Sequence, residues 1–167
     1  MVEAGILRED DRVELIRGEV MAMSPIGKRP AACVKRIVAF LGRNTDPTFI
    51  LSVQDPIQLD GYNQPQPDVA LLHYREDFYA QAHPTPKDIL LLIEVADSSL
   101  DYDRDVKIPL YAQAQIPEVW LVDVLDETVT VYTQPQNGFF QSVQLFRKSQ
   151  TISFLACCMF AVDSFFL

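Results

Sequence analysis

Along the chain the hydrophobic pattern alternates between the two-residue period of strands and the three-to-four-residue period of helices. Val13-Glu14-Leu15-Ile16 and Glu19-Val20-Met21-Ala22-Met23 flank Arg17-Gly18. That predicts a tight hairpin whose turn uses the positive φ open to glycine. Ser24-Pro25 closes it. Ala31, Val34, Val38 and Leu41 recur at helical spacing and predict a helix of about four turns, with Pro30 tolerated in its first turn. Residues 49–53 read as a short strand ending at Gln54. Pro65-Gln66-Pro67-Asp68 then ends a loop and releases the chain into a buried strand, Val69-Ala70-Leu71-Leu72.

The most apolar run is Ile89-Leu90-Leu91-Leu92-Ile93-Glu94-Val95, a strand covered on both faces with one charge inside it. Asp97-Ser98-Ser99 is a helix-starting cluster, and the helix it opens ends at Ile116-Pro117. Pro109 in its middle must kink it or remove a hydrogen bond. Residues 118–124 form another buried strand, and 128–133 alternate as a half-exposed strand does. Gln136-Asn137-Gly138 turns into a hairpin partner at 139–146. Residues 154–162 read as a final core segment, and the opening residues as the tail of a helix closed by Gly5. The order predicts an α/β fold with a mixed central sheet flanked by helices, and β-hairpins near both termini.

At 167 residues, 49% hydrophobic and 22% charged, the chain is expected to form one domain over 1–167. Three cysteines without a CxxC pair, and only His73 and His83 beside them, argue against zinc or thiol chemistry. The odd cysteine count and the lack of a leader point to the cytoplasm. Residues 154–162 are too short to span a bilayer, so no membrane association is expected. The net charge of -9 counts against a strong grip on phosphates. Lys28, Arg29, Lys35, Arg36 and Arg43 nevertheless fall on one predicted helix, read first as a solvated face.

Glu94 makes the chemistry specific, because an unpaired carboxylate in a dry interior costs several kcal/mol. Asp103, Lys107 and Tyr111 are spaced four apart on the following helix and share one face, so Lys107 can reach toward Glu94. Asp68, at the mouth of the preceding strand, can share a hard cation with Glu94 if the two strands pair about 4.8 Å apart. Two acids and a lysine around Mg2+ suit hydrolysis of a phosphodiester: the ion activates water and the lysine positions it. The competing reading of Glu94 with Lys107 is a buried structural ion pair.

Pro67-Asp68 followed by Glu94 resembles the PD-(D/E)XK nuclease motif. A wider similarity covers nearly the whole chain. Val13-Glu14-Leu15-Ile16-Arg17-Gly18, Met23-Ser24-Pro25, Gln66-Pro67-Asp68-Val69, Glu94-Val95-Ala96-Asp97-Ser98-Ser99, Tyr102-Asp103-Arg104-Asp105-Val106-Lys107 and Trp120-Leu121-Val122-Asp123 resemble the bacterial Uma-two family. That resemblance implies a restriction endonuclease-like fold and a metal-dependent DNA endonuclease acting as a homodimer. Asp68 and Glu94 would hold Mg2+ (or Mn2+) and Lys107 would assist catalysis, with Glu14 and Gln54 in support. The strand lysine usual two residues after the glutamate is replaced by Ala96, which assigns its part to Lys107. Pro30 stands where relatives tend to carry histidine. The alternative is a catalytically silent nuclease-fold domain serving as a homodimeric structural or partner-binding module. Lys107→Ala is expected to abolish cleavage and leave the fold largely intact.

Overall fold

The computed structural model describes residues 11–154 and 158–166; the reading of the opening residues as the tail of a helix lies outside them. β1 (Val13–Ile16) and β2 (Glu19–Ala22) form the N-terminal antiparallel hairpin. Arg17 and Gly18 turn it with φ of 53° and 81°, the pair of positive values that suits the twist of a two-residue hairpin. An isolated bridge between Leu15 and Gln64, with the Arg17 N–H donating to Asn63 Oδ1 at 2.8 Å, pins this hairpin to the loop before Asp68. The hairpin thereby brings Glu14 over the body of the fold.

α1 (Lys28–Asn44) follows, burying Pro30, Cys33, Val34, Ile37 and Leu41 along one stripe. The central sheet has six strands: β3 (Phe49–Val53), β4 (Val69–His73), β5 (Ile89–Ala96), β6 (Glu118–Asp123), β7 (Thr128–Gln136) and β8 (Phe139–Phe146), hydrogen-bonded in that order. All neighbours are antiparallel except β5 and β6. That parallel pair needs a crossover, and the helical segment between them supplies it. The hairpin of residues 128–146 is therefore the far edge of the main sheet. The C-terminal apolar stretch, read from sequence as one core segment, instead contributes to a further antiparallel hairpin of β9 (Thr151–Phe154) and β10 (Cys158–Ala161).

Alternation along β5 sends residues to two cores. Leu91, Ile93 and Val95 pack with Trp120, α1 and the β9–β10 hairpin. Leu92 and Ala96 pack on the other face with Ile57, Ile108, Tyr111, Val119 and Leu121. Glu94 has the parity of the second set and lies under the crossover. Among the described residues no helix is long and apolar enough to cross a membrane.

The crossover is α-helical at α2 (Leu100–Tyr102) and α3 (Ile108–Gln113), with a π-helical turn over Asp103–Lys107 between them. Pro109 explains the turn. Its ring collides with the carbonyl four residues back in a regular helix, and widening the preceding turn relieves the conflict. The Ile108 N–H accordingly bonds the Asp103 carbonyl, five residues back. Entry to β5 is set by a capping box in which Asp88 accepts from the Thr85 N–H at 2.8 Å and from its hydroxyl at 2.7 Å. Asp88→Ala should cost about 1 kcal/mol, read from the urea midpoint. No change would mean that β5 needs no cap to start.

Candidate functional site

Lys107 is the hub of a buried polar cluster. Its ammonium lies 2.8 Å from Glu14 Oε1, 3.3 and 3.4 Å from the two oxygens of Glu94, and 3.8 Å from Asp103 Oδ1. Tyr111 donates a hydrogen bond to Glu94 Oε1. Glu14, Glu94, Asp103 and Lys107 are each 5% exposed or less. The spacing of Asp103, Lys107 and Tyr111 aims all three at β5, and the hairpin delivers Glu14 from the other side.

Asp68 stands just before β4, half-buried, beside this cluster. Its Oδ1 accepts from the Gln54 amide at 3.1 Å, and its Oδ2 from the Val95 N–H at 2.8 Å, one residue past Glu94. β4 and β5 are antiparallel neighbours with Val69 opposite Ile93, so Asp68 and Glu94 come from adjoining strands. Gln54 reaches Asp68 because β3 ends there in a left-handed residue, φ 56°, whose N–H also bonds the Asp68 carbonyl. Glu14 Oε1 accepts from the Gln66 N–H at 2.9 Å, stapling the loop that carries Asp68 to β1. These side chains line an open cavity of about 360 Å³, bordered also by Tyr102, Arg12 and the segment from Ser24 to Gly27. Pro30 lines it too and puts an apolar ring on its wall.

The electrostatics are lopsided. Glu14, Asp68, Glu94 and Asp103 set four carboxylates against the single ammonium of Lys107. Burial pushes the Glu94 carboxyl well up; Lys107 pulls it back, the charges of Asp103 and Asp68 add to the rise, and the Tyr111 hydrogen bond opposes it. Burial raises Asp103 as well, against Lys107 and the Ser99 hydroxyl that donates to it at 2.7 Å. For Lys107, burial opposes the charged form, but Glu94, Glu14 and Asp103 together outweigh it and drive its pKa up. All three groups therefore hold protons more tightly than usual, as expected where negative charge is in excess.

Tyr102 adds an unmet polar group. Its hydroxyl is buried with no hydrogen-bond partner among the described residues, within electrostatic reach of Glu14, Lys107, Asp103 and Glu94. Since Tyr102→Phe removes no bond, it should leave stability unchanged or raise it by up to about 1 kcal/mol in calorimetry. A clear loss would reveal a partner for that hydroxyl.

The donor set suits a small hard cation, being carboxylate oxygen with no thiolate or imidazole. Among the described residues no three His, Cys, Asp or Glu side chains are placed to hold a metal together. Such a cation would take at most two carboxylates here. That is the usual protein share for magnesium, whose other positions go to water and phosphate.

Sequence reasoning named Glu14, Gln54, Asp68, Glu94 and Lys107, and all five line the same cavity. Glu14, Glu94 and Lys107 touch; Asp68 and Gln54 form an adjoining pair. Asp103 was legible as the acid four residues before Lys107 but was not counted with the site. The Tyr102 hydroxyl carried no sequence signal, because its isolation depends on burial. Ala96, at the position of the usual strand lysine, is fully buried against α3. A lysine there would end under the helix, and the cation comes from the helix instead.

An acid at the mouth of one strand, an acid inside its neighbour and a lysine beside them, on a mixed sheet flanked by helices, define a nuclease-like fold. The chain belongs to the Uma2 family, described as "Putative restriction endonuclease", whose model matches residues 3–158. Its structure is similar to the crystal structure of a putative nuclease of the family DUF820 from Anabaena variabilis. The TM-score is 0.74 at 14% identity, over 98% of this chain and 94% of that one. At that identity the likeness speaks for the fold alone. No curated protein matches the chain.

Proposed function

We propose that this protein is a magnesium-dependent endonuclease that hydrolyses DNA phosphodiester bonds, with Asp68 and Glu94 holding the ion and Lys107 beside it. The observation that carries this reading is the excess of buried and half-buried carboxylates over a single ammonium in one open cavity. Among the described residues only Lys107 and, at the border, the Arg12 guanidinium face these four acids, and a divalent cation would offset the remaining charge. When bound, magnesium supplies an acidified water and offsets charge building on the phosphate. The family description and the general use of divalent metals by restriction endonuclease-like proteins agree with this reading.

The chain's own residues divide the remaining work. Lys107 stays protonated among its acids, so it orients water or steadies negative charge rather than removing a proton. Glu14, Asp103 and Tyr111 hold Lys107 and Glu94 in register, and such supporting bonds commonly contribute 10–100-fold to metal affinity. Gln54 and the Val95 N–H aim Asp68. Cutting both strands of a duplex calls for two such sites, so the working form is proposed to be a homodimer. The test is cleavage of supercoiled plasmid with Mg2+ or Mn2+ and with chelator, using wild type and Asp68→Asn. Cleavage that persists in chelator, or in Asp68→Asn, would overturn the proposal.

A second reading is favoured by one observation. The ammonium of Lys107 is already ringed by three acids, as in a structural ion-pair network. On that reading the fold is a silent, homodimeric partner-binding module, and magnesium leaves its stability unchanged.

A further inference from the structure

A helix in a strongly acidic protein carries five of the fourteen Lys and Arg residues and no acid. In α1, at 100° per residue, Lys28, Arg29, Lys35, Arg36 and Arg43 fall within about one third of the circumference. That arc lies opposite the buried stripe of Pro30, Cys33, Val34, Ile37 and Leu41. A solvated helix face ordinarily mixes signs and links them four residues apart; this one does neither. Lys28, Lys35, Arg36 and Arg43 are exposed and have no ion-pair partner among the described residues. Arg29 donates to the Val124 carbonyl at 3.0 Å, tying the helix start to the end of β6.

The position of the face matters as much as its charge. Gly27 and Pro30, at the first turn of α1, border the acidic cavity. Lys28, Arg29 and Arg36 line a second hollow of about 260 Å³, backed by Phe165 and Phe166. The acid in that hollow, Glu127, is neutralised by Lys148. The cations thus start at the lip of the candidate site and run away from it. A helix of 17 residues is about 25 Å long, and one strand of B-DNA presents about seven phosphates over that length at 3.4 Å each.

We infer that the exposed face of α1 is the surface on which the backbone of duplex DNA is held beside the acidic cavity. The choice of partner rests on the nuclease reading; the surface itself rests on charge and position. It also answers the objection that the net charge raises, because a local stripe can grip phosphates that the whole protein repels.

The test is fluorescence anisotropy of a labelled 20-base-pair duplex in chelator, where cleavage cannot interfere. Wild type is compared with Lys35→Gln/Arg36→Gln/Arg43→Gln and with Lys87→Gln/Arg147→Gln as a loss of two charges elsewhere. With about four phosphate contacts, wild-type affinity should fall about 100-fold from 50 to 200 mM salt. The triple variant should bind more weakly and lose about 2.7 of the log–log salt slope, at ~0.9 per contact, while the control keeps wild-type affinity and slope. Equal losses in both variants, an unchanged triple variant, or no wild-type binding at 50 mM salt would overturn the inference. So would binding to phosphatidylserine vesicles that the triple variant loses while keeping its grip on duplex. Failure of plasmid cleavage alone would sink the nuclease reading and leave this surface standing.

Discussion

Lys107→Met should lower the melting temperature at pH 7 by on the order of 10 °C. Removing one member of a buried charge network costs about 3–5 kcal/mol, and each kcal/mol is worth roughly 2–4 °C in a chain of this size. Methionine fills most of the space, so the loss reports charge rather than a cavity. Glu14, Glu94 and Asp103 would be left facing one another with no cation among them. This revises the expectation that Lys107→Ala leaves the fold largely intact, because an ammonium 4% exposed amid three acids also holds the structure together.

The pH dependence has a definite sign. Glu94 and Asp103 have folded pKa values above their ordinary 4.5 and 3.8. Above those values the native state binds more protons than the unfolded one, so stability falls as pH rises through that window. Lys107 is raised above 10.5, so its stabilisation is present below that value and fades only at higher pH. Lys107→Met should therefore suffer less at pH 5.5 than at pH 7.5 in scanning calorimetry. An equal loss at both pH values, or none, would remove charge imbalance from the account.

Magnesium should raise the melting temperature of wild type, and Glu94→Gln should abolish both the rise and any cleavage. A ligand at one hundred times its dissociation constant stabilises by about 2.7 kcal/mol, several degrees here. Without metal, Glu94→Gln should be at least as stable as wild type, since the amide removes charge from a crowded acidic site while still accepting from Tyr111. The outcomes discriminate. A retained magnesium response in Glu94→Gln would remove Glu94 as a ligand. A wild type indifferent to magnesium, together with a stabilised Glu94→Gln, would favour the silent module.

Much of the fold was legible because its signals are local. The apolar run around Glu94, the Arg17-Gly18 and Asn137-Gly138 turns and the periodicity of α1 each follow from a few adjacent residues, and the structure has elements at all of them. Asn137 and Gly138 adopt φ of 52° and 79°, the same paired positive values as the first hairpin. Pro109 announced a conflict in the crossover but not its resolution. Whether a proline bends a helix, breaks it or widens a turn depends on what the neighbouring turns pack against. A hairpin near the C-terminus was expected, but the β9–β10 pairing was read as one core segment because an apolar stretch bounded by polar residues does not say whether it is one strand or two.

Glu94 needed a partner on the sequence alone, because no fold leaves a carboxylate bare inside an apolar strand, and the four-residue spacing named Lys107 for it. The joining of Glu14 to Lys107 at 2.8 Å required coordinates, as did the reach of Asp68 to the backbone of β5 and the isolation of the Tyr102 hydroxyl. These depend on how a docked hairpin and a loop close over the sheet. Helix and strand periods are set by neighbours along the chain, whereas the sum of charges in a cavity is set by residues far apart in sequence.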